Sequence, residues 1–252
     1  MNLLYILSIA LLISGSQTDD LSDRAREIFE KLDERRQAVT YETSIMNMTI
    51  HDDRGRTRNR ELRSWNFNDD GVAKTLLVFE NPADVRGTGL LTVNEDGDER
   101  QQIYLPSVGR VQTISSSERG DRFMGSDFTY EDLGAQDPEE FSFEEKDHSE
   151  DEYKIKAIPE TASEYAWIIF YIDRERYVLN KAEYYNDDGE RYKELVAENY
   201  RELDTDVWRA DHMTMYDLKN DTKTKLRWSD RTINEPIPDR YFTERQLERG
   251  VQ

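Results

Sequence analysis

Few side chains in this sequence have the type and spacing that acid–base or metal chemistry needs. The three histidines, His51, His148 and His212, lie far apart and form no spaced pair of the H-x-x-x-H kind. Aspartates such as Asp96 and Asp98 lack the spacing and the closing glutamate of a calcium loop. With 54 acidic residues in the chain, a pair of carboxylates carries almost no information about catalysis. The pattern predicts no metal site and no cofactor.

A candidate nucleophile is also missing from the sequence. The chain has no cysteine, which excludes a thiol nucleophile, a disulfide, a thiolate metal site and the acylated cysteine of a lipoprotein. It contains no G-x-S-x-G, P-loop or G-x-G-x-x-G motif. We therefore predict that the protein is not an enzyme and that it acts by non-covalent binding.

Apolar side chains are better candidates for function. Methionines and aromatic residues alternate along predicted strands, and methionine suits surfaces that accept varied apolar shapes. Two interpretations stay open, namely ordinary core packing and an apolar cavity for acyl chains. The residues predicted to line such a cavity come from five predicted strands and are Met46, Met48, Trp65, Phe67, Leu77, Phe79, Leu91 and Trp167.

One helix and a long series of strands must position these side chains. A helix is predicted from Asp20 to Ala38 because apolar residues recur there at helical spacing, with charged residues between them. A single apolar stripe must pack against another element. The stripe consists of Leu21, Ala25, Ile28, Phe29 and Leu32.

From Tyr41 onward the apolar period changes to two, which is typical of strands. The turn sequences at 68–71 and 186–189, both Asn-Asp-Asp-Gly, and at 94–98, Asn-Glu-Asp-Gly-Asp, favour tight hairpins because Asp-Gly pairs tolerate a positive φ. The alternation therefore predicts an antiparallel meander. Later strands are predicted at 153–158, 166–172, 176–185, 193–203, 207–218 and 224–228.

Two segments interrupt the strand pattern. Residues 115–132 are rich in serine and glycine and predict a long loop or short helical turns, whereas residues 136–152 are dominated by Asp and Glu and predict an exposed loop. The strand at 166–172 is apolar on both faces, so we expect it to be covered on both. Pro236 and Pro238 end regular pairing, and residues 242–247 are predicted to form a short terminal helix.

Composition limits the partners. A chain of 252 residues with 36% hydrophobic residues predicts one large domain, which we place at 17–252. A net charge of −20 argues against nucleic acid and anionic lipid headgroups as direct partners. One run of alternating arginines could form a basic patch, although we interpret it as a solvated strand face. The run is Arg54, Arg56, Arg58, Arg60 and Arg63.

The N-terminus has the character of a targeting segment. Leu3 to Ile13 is almost wholly apolar, within the length of a signal-peptide core and too short to span a bilayer. Ser14 and Ser16 are small residues at the positions that a cut before Gln17 requires. We predict a signal peptide at 1–16 and secretion of the mature chain.

Residues 74–133 resemble the most recognisable block of the outer-membrane lipoprotein-sorting, LolA-like family. The most specific run is Phe123-Met124-Gly125-Ser126-Asp127-Phe128, which continues through Tyr130 to Leu133. Weaker similarity extends over 79–90, 104–106, 184–189, 208–215 and 233–247, so the resemblance covers nearly all of the mature chain. Members often have a Trp and basic residues around 104–106, whereas this chain has Gln101-Gln102-Ile103 before that segment.

The resemblance implies a mainly β (α+β) fold. We expect a strongly curved antiparallel sheet that forms an unclosed half-barrel, with its concave face covered by helices that include the N-terminal one. The family implies a periplasmic carrier or chaperone for an acylated lipoprotein or another lipid-like ligand. Some members occur beside RND- or MMPL-type exporters, so an exporter is an expected partner, with only transient contact to membrane proteins.

The alternative function is an accessory interaction subunit of an exporter or envelope complex. In that case the loop Gly125, Ser126, Asp127 and Phe128 would be a recognition surface, because loops carry function when a rigid sheet positions them. The structural interpretation of the same loop is a tight turn at the glycine, with the Asp127 carboxylate capping backbone groups.

Overall fold

The computed structural model describes residues 15–249. Residues 1–14, which hold most of the predicted signal peptide 1–16, lie outside the described residues. Two helices, α1 (Gly15–Gln37) and α2 (Glu244–Arg249), flank the strands of the described part. The N-terminal strands are β1 (Tyr41–His51), β2 (Thr57–Asp69), β3 (Val72–Asn81), β4 (Gly89–Glu95), β5 (Asp98–Leu105) and β6 (Arg110–Thr113).

A connecting segment, residues 114–140, separates these strands from the C-terminal ones. It carries several short 3₁₀ turns, as the serine- and glycine-rich composition predicted. The C-terminal strands are β7 (Phe141–Glu145), β8 (Glu152–Pro159), β9 (Trp167–Asp173), β10 (Leu179–Tyr185), β11 (Arg191–Asp204), β12 (Val207–Asp217) and β13 (Thr222–Ile233).

All of these strands form one antiparallel sheet, in the order β6-β5-β4-β3-β2-β1-β13-β12-β11-β10-β9-β8-β7. The pairing of β1 with β13 joins the two halves of the chain at the centre of the sheet. The outermost strands β6 and β7 do not pair with each other, so the sheet stays open. The predicted fold class, a mainly β half-barrel that is not closed, is confirmed.

Turn chemistry explains most of the hairpins. Asp70 and Gly71 have φ of 45° and 77°, and Asp96 and Gly97 have φ of 53° and 85°, as the Asp-Gly pairs predicted. The strand predicted at 176–185 begins later than expected. The backbone N–H groups of residues 175 and 176 donate to the Asp173 carboxylate at 3.1 and 2.8 Å, so these residues form a turn.

The predicted loop at 136–152 is partly wrong. It contains β7, which pairs with β8 along 141–145 despite the surrounding acidic residues. Phe141 and Phe143 are buried, and their backbone carbonyls face the free edge of the sheet. Helix α1 covers this edge, because Arg26 Nη2 donates to the Phe141 carbonyl at 3.0 Å and Ser22 Oγ to the Phe143 carbonyl at 3.1 Å. Covering an edge strand in this way prevents unwanted strand pairing.

Helix α1 lies on the inner face of the sheet, as predicted for the concave side. Its side chains Ala25, Ile28, Phe29 and Leu32 are buried, whereas Leu21 of the predicted stripe is 49% exposed. The ring of Phe29 lies 4.9 Å from that of Phe143 and 5.0 Å from that of Phe170. The helix is therefore held by aromatic packing near β7 and β9.

The opposite, outer face has its own cover. The residues after β13 cross the outer face of β2–β5 and bury a second apolar cluster there. This terminal segment contains α2, as predicted for 242–247, and contributes Ile237, Phe242 and Leu247. The two faces of the sheet therefore have separate cores.

The prediction that β9 is covered on both faces is only half right. Its inner side chains Ile168, Phe170 and Ile172 are buried, whereas Trp167 and Tyr171 on the outer side are half-exposed. Trp167 stacks on Tyr185 of the neighbouring strand at 5.2 Å rather than under a helix. The neighbours of Trp167 are side chains of the same sheet face, Tyr185 and Lys156.

Candidate functional site

Strand register arranges the inner face in rows, and the rows differ in chemistry. Two neighbouring rows, here called the apolar rows, are Met46–Leu62–Phe79 and Ser44–Ser64–Leu77–Leu90–Ile103. The next two, here called the polar rows, are Glu42–Asn66–Thr75–Thr92–Gln101 and Asn68–Ala73–Asn94–Glu99. The change occurs between adjacent residues of the same strand face, about 7 Å apart.

The apolar rows are filled by other parts of the chain. Met46 is 3% exposed and Phe79 1%, and both belong to the core that includes α1. Phe123 of the connecting segment is fully buried, with its ring 5.6 Å from that of Phe79. Phe128 joins the same cluster. No ligand can reach these rows without displacement of α1 or the connecting segment.

Most of the polar rows, all but Glu99 and Gln101, line an open space. A cavity of about 710 Å³ separates them from the C-terminal end of α1 and from residues 133–139 of the connecting segment. Its rim includes the exposed residues Arg36, Gly97 and Glu139, so the cavity opens to solvent. The apolar part of its wall includes Val39, Ala73, Leu133, Ala210, Met213 and Trp228.

Hydrogen bonds fix the polar floor of this cavity. Thr75 Oγ1 donates to Asn66 Oδ1 at 3.0 Å, and Asn66 Nδ2 donates to the Glu42 carbonyl at 3.4 Å. At the far side the backbone N–H of Gly97 donates to Asn94 Oδ1 at 2.9 Å. Amide and hydroxyl groups with remaining hydrogen-bonding capacity therefore face the space.

Charged groups cluster where the cavity meets β12 and β13. Arg231 is almost fully buried, and its guanidinium lies 5.3 Å from the ring of Trp228 and 3.6 Å from a Glu42 carboxylate oxygen. Burial lowers the pKa of Arg231, and Glu42 and Asp211 partly offset this effect. Arg209 Nε also pairs with Glu42, at 3.1 Å. Glu42 therefore balances two arginines at the cavity wall.

The C-terminal end of α1 is tied to the sheet beside the cavity. Arg209 donates to the carbonyls of Arg35 at 3.1 Å and Arg36 at 2.9 Å, and Asn68 Nδ2 donates to the Gln37 carbonyl at 2.7 Å. These bonds satisfy carbonyls that a helix end leaves unpaired, and a cation suits the negative end of the helix dipole. These contacts, together with the hydrogen bond that Arg36 Nη1 donates to Gln136 Oε1 at 3.1 Å, hold this wall of the cavity.

A carboxylate on α1 faces the cavity in an unfavourable environment. Burial raises the pKa of Asp33, and the negative charge of Asp137 across the cavity adds to the increase. Arg36 and the hydrogen bond from Gln37 act in the opposite direction. The negative charge of Asp33 therefore lowers the stability of the folded protein.

The family-motif loop is an internal anchor. Ser126, Asp127 and Phe128 are buried, with Asp127 only 3% exposed. The Asp127 carboxylate accepts hydrogen bonds from Thr224 Oγ1 at 2.7 Å and from Thr222 Oγ1, both on β13. Gly125 adopts φ of 72°, a backbone conformation that side chains rarely reach. The interpretation of this loop as a recognition surface is therefore wrong, because most of it is inaccessible.

A buried ionic cluster holds the same connecting segment. Lys193 of β11 pairs with Asp132, and their side chains are 6% and 3% exposed. Tyr165 OH donates to Asp132 Oδ1 at 2.6 Å and accepts from Lys193 Nζ at 2.6 Å. Burial, together with the Asp132 charge, raises the pKa of Tyr165 well above its usual value. The segment over the apolar rows is thus fastened by charge as well as by apolar packing.

The eight predicted lining residues do not share one surface. Four of them, Met46, Met48, Leu77 and Phe79, lie on the inner face, but in the filled core. The remaining four lie on the outer face: Trp65, Phe67 and Leu91 pack with the terminal segment, and Trp167 is on β9. Phe67 alone also reaches the cavity rim. Alternation identified strand faces correctly, whereas the choice of face failed because both faces of β2–β4 are apolar.

Sequence reasoning missed Trp228 and Arg231 of the cavity wall. Trp228 pairs with Met46 across β1 and β13, and Met213 pairs with Leu226 across β12 and β13. The alternating Met213 and Met215 gave a signal for β12 but none for Trp228 and Arg231 on β13. The pairing of β13 with β1 is a long-range contact that the sequence pattern alone does not contain.

The arginine run is also divided. Arg58 and Arg60 lie at inner-face positions and donate to the backbone carbonyls of Gly125 at 3.4 Å and Met124 at 2.5 Å. Arg63 lies on the outer face and pairs with Glu80 at 2.8 Å. The predicted single solvated face is therefore wrong, because the side chains of this strand alternate between the two faces.

Comparisons with known proteins agree with this architecture. A family model described as "Uncharacterized protein" matches residues 71–249. A solved domain from Vibrio parahaemolyticus, whose name assigns it to outer-membrane lipoprotein sorting, is 27% identical, with a TM-score of 0.86 over 90% of this chain and 99% of its own. No curated protein matches the chain.

Two further solved structures share the fold. A DUF1329 family protein from Desulfovibrio piger is 21% identical, with a TM-score of 0.83 over 90% of this chain and 99% of its own. A LolA superfamily protein from Nitrosomonas europaea is 18% identical, with a TM-score of 0.69 over 87% of this chain and 97% of its own. The chain belongs to the family that the model defines, and its fold is LolA-like, as the resemblance predicted.

Within residues 15–249 neither α1 nor α2 combines the length and the apolar character that a membrane-spanning helix needs.

Proposed function

We propose that the protein is a periplasmic carrier that binds an acylated or otherwise lipid-like ligand non-covalently in the inner-face cavity. The observation that carries the proposal is the cavity of about 710 Å³ under the end of α1. This volume falls within the range of about 300–1,000 Å³ that small-molecule sites occupy. The LolA-like fold and the name of the Vibrio relative support a role in lipoprotein or lipid transfer.

The mixed lining indicates an amphipathic ligand rather than a purely apolar one. Met213 and Trp228 can cover an acyl chain, and removing apolar surface from water supplies about 25 cal/mol per Å². Each acyl CH₂ that leaves water contributes about 0.8 kcal/mol. The hydroxyl and amide groups of Asn66, Thr75 and Asn94 can replace water around a polar head.

Helix α1 supplies a route for entry and release. Its C-terminal end closes one wall of the cavity through the contacts of Arg209 and Asn68 with the last carbonyls of the helix. These are polar contacts at a partly exposed surface, whereas the middle of the helix is held by buried aromatic packing. We expect the C-terminal end to lift first, which widens the cavity while the rest of α1 stays in place.

The accessory-subunit alternative loses its candidate surface, because the loop at 125–128 is largely buried. An RND- or MMPL-type exporter remains a predicted partner of the carrier. Crosslinking in cells distinguishes the two functions. A carrier yields lipid or several client proteins, whereas a subunit yields one protein in fixed stoichiometry.

The test is ligand capture by the purified protein. Native mass spectrometry and lipid extraction of protein purified from the periplasm are expected to reveal a co-purifying lipid, and delipidated protein is expected to take up a fluorescent fatty acid. Trp228→Ala is expected to weaken that uptake about tenfold, which corresponds to the loss of about 1.4 kcal/mol of contact.

Trp167→Ala is the matched control for Trp228→Ala. Each tryptophan is half-exposed and has one cationic side chain over its ring, Lys156 at 5.0 Å for Trp167 and Arg231 at 5.3 Å for Trp228. The control is expected to bind the fatty acid like the unaltered protein. Absence of both co-purifying lipid and fatty-acid uptake would refute the carrier, and equal losses in the two variants would place the ligand outside the cavity.

A further inference from the structure

The outer face of the sheet carries a line of basic residues that the sequence does not reveal. Strand register places one row of outer-face residues across eight strands, from β8 to β2. This row, here called the basic row, contains three lysines and no carboxylate. It consists of Lys154, Tyr171, Lys181, Val196, Thr214, Lys225, Thr49 and Asn59. At about 4.8 Å between strands, the row is roughly 34 Å long.

The centre of the sheet concentrates this charge. On β12, β13 and β1 the outer-face residues form a grid of three by three, here called the basic grid. Its rows are His212–Arg227–Asn47, Thr214–Lys225–Thr49 and Tyr216–Lys223–His51. Acidic residues make up 54 of the 252 residues, or about one in five, yet none occurs at these nine positions.

Most cations of this surface are available to a partner, although Lys181 of the basic row pairs with Glu183 at 2.8 Å. Among the described residues, Lys154, Lys223, Lys225 and Arg227 form no ion pair with a carboxylate, although flanking strands carry Glu61, Glu194 and Glu198. The pKa of His51 is lowered by burial and then by the nearby charges of Lys223 and Lys225, which agrees with a positive potential at the grid.

Aromatic rings accompany the lysines on the same face. Lys181 lies 4.0 Å and Lys154 5.1 Å from the ring centre of Tyr171, and Lys156 lies 5.0 Å from that of Trp167. These rings are half-exposed and no helix buries them. Trp and Tyr beside basic residues are the combination that occupies the headgroup region of a bilayer, where a ring meets both water and lipid.

We propose that the basic row and basic grid dock the protein on a bilayer surface that contains anionic phospholipid. Phosphate groups are complementary to the unpaired lysines and to Arg227, and the aromatic rings lie at the headgroup level. The sheet places these cations side by side on one face, whereas the arginines of segment 54–63 are divided between the two faces.

The net charge of −20 does not prevent this contact. The Debye length is about 8 Å at physiological ionic strength, so charges farther away are largely screened. The carboxylates of the inner face lie across a sheet whose packed layers are about 10 Å apart, whereas Glu61, Glu194 and Glu198 flank the basic grid on its own face. The bilayer therefore responds mainly to the charges of the outer face.

The experiment is sedimentation of the full chain with vesicles. Vesicles of phosphatidylcholine and phosphatidylglycerol are expected to bind the protein, vesicles of phosphatidylcholine alone are not, and added salt is expected to release it. The triple variant Lys223→Gln, Lys225→Gln and Arg227→Gln is expected to bind about a hundredfold more weakly, since each cation near an anionic surface contributes about a fivefold change.

A matched control removes three other unpaired charges. Lys31, Arg54 and Arg110 are exposed, lie off the basic row and form no ion pair among the described residues. The triple Lys31→Gln, Arg54→Gln and Arg110→Gln changes the net charge equally and is expected to bind like the unaltered protein. Circular dichroism checks that both variants fold.

Two results would overturn the docking surface. One is a failure of the unaltered protein to sediment with anionic vesicles at low salt. This result would count against the docking surface even if the same face binds an acidic protein. The other is an equal loss in the two triple variants, which would show a response to net charge alone. Fatty-acid uptake is measured in parallel, so a failure here is distinguishable from a failure of the carrier function.

Discussion

The apolar rows and the polar rows occupy the same face of the same strands, yet one set is filled and the other is open. Phe79 of the apolar rows is 1% exposed beneath Phe123, whereas Thr75, two strand steps away on the same face, lies under a cavity of about 710 Å³. A hydrogen bond of 2.7 Å between the buried hydroxyls of Ser44 and Ser64 lies at the boundary.

This difference shows that apolar character and availability for a ligand are separate properties. Apolar side chains that are strongly drawn out of water recruit parts of their own chain, here α1 and the connecting segment. Space persists where the sheet surface is polar enough to remain solvated. A ligand of this protein must therefore satisfy polar groups first, or displace a packed segment to reach the apolar rows.

The largest expected effect tests whether the apolar rows are a closed core. Phe123→Ala is expected to lower the free energy of unfolding by about 3–5 kcal/mol, because it removes a fully buried ring and leaves a void. Leu133→Ala, at the half-exposed cavity wall, is expected to cost about 1 kcal/mol. Urea unfolding measures both, and equal costs would erase the distinction between the two regions.

The ionic cluster that fastens the connecting segment is expected to be nearly as important. Lys193→Met leaves the Asp132 charge buried without its partner and is expected to cost about 3 kcal/mol. Lys181→Met is the control, because Glu183 keeps its pair with Arg191 at 2.8 Å at a more exposed position. The control is expected to lose less than about 1 kcal/mol. Thermal unfolding of both variants measures the two losses. Similar losses for both would mean that burial of the cluster is unimportant.

The boundary between the rows gives a smaller effect. Ser64→Ala removes the hydroxyl that bonds to the buried Ser44 and is expected to cost about 1–2 kcal/mol. Thr75→Val removes a bond to Asn66 beside the open cavity, where water can replace it, and is expected to cost about 0.5 kcal/mol. A larger loss for Thr75→Val in urea unfolding would contradict a solvated polar floor.

The smallest effect concerns the pH dependence of the cavity wall. Since the pKa of Asp33 is raised in the folded protein, chiefly by burial, its charged form destabilises the fold above that pKa and the penalty disappears as pH falls through it. Asp33→Asn is expected to be more stable than the unaltered protein at neutral pH, by less than about 1 kcal/mol. Below the unfolded pKa of 3.8 the difference is expected to vanish. Thermal unfolding across this range checks the sign, and a less stable variant at neutral pH would contradict it.

Local patterns predicted the elements of this fold well. The helical spacing of Ile28, Phe29 and Leu32 identified α1, and the Asp-Gly turns identified hairpins at 70–71 and 96–97. These features depend on residues that are close in sequence. The acidic strand β7 was missed because its stability comes from pairing with β8 and from the cover of α1, which composition does not show.

The candidate site was much less predictable than the fold. Trp65 and Leu91 alternate as correctly as Met46 does, but only tertiary structure determines which face meets the terminal segment and which meets α1. The cavity forms where β1 joins β13, far apart in sequence, so Trp228 and Arg231 had no local signal. The basic row has the same origin, since its cations come from separate strands.

The most direct test of the carrier is photo-crosslinking with a fatty acid that bears a diazirine on its acyl chain, followed by mass spectrometry of the adducts. The cavity predicts adducts on Met213, Trp228, Leu133 and Val39, and fewer of them when an unlabelled fatty acid competes. Adducts confined to outer-face residues such as Trp65 and Leu91, or no adducts that a competitor removes, would contradict binding in this cavity.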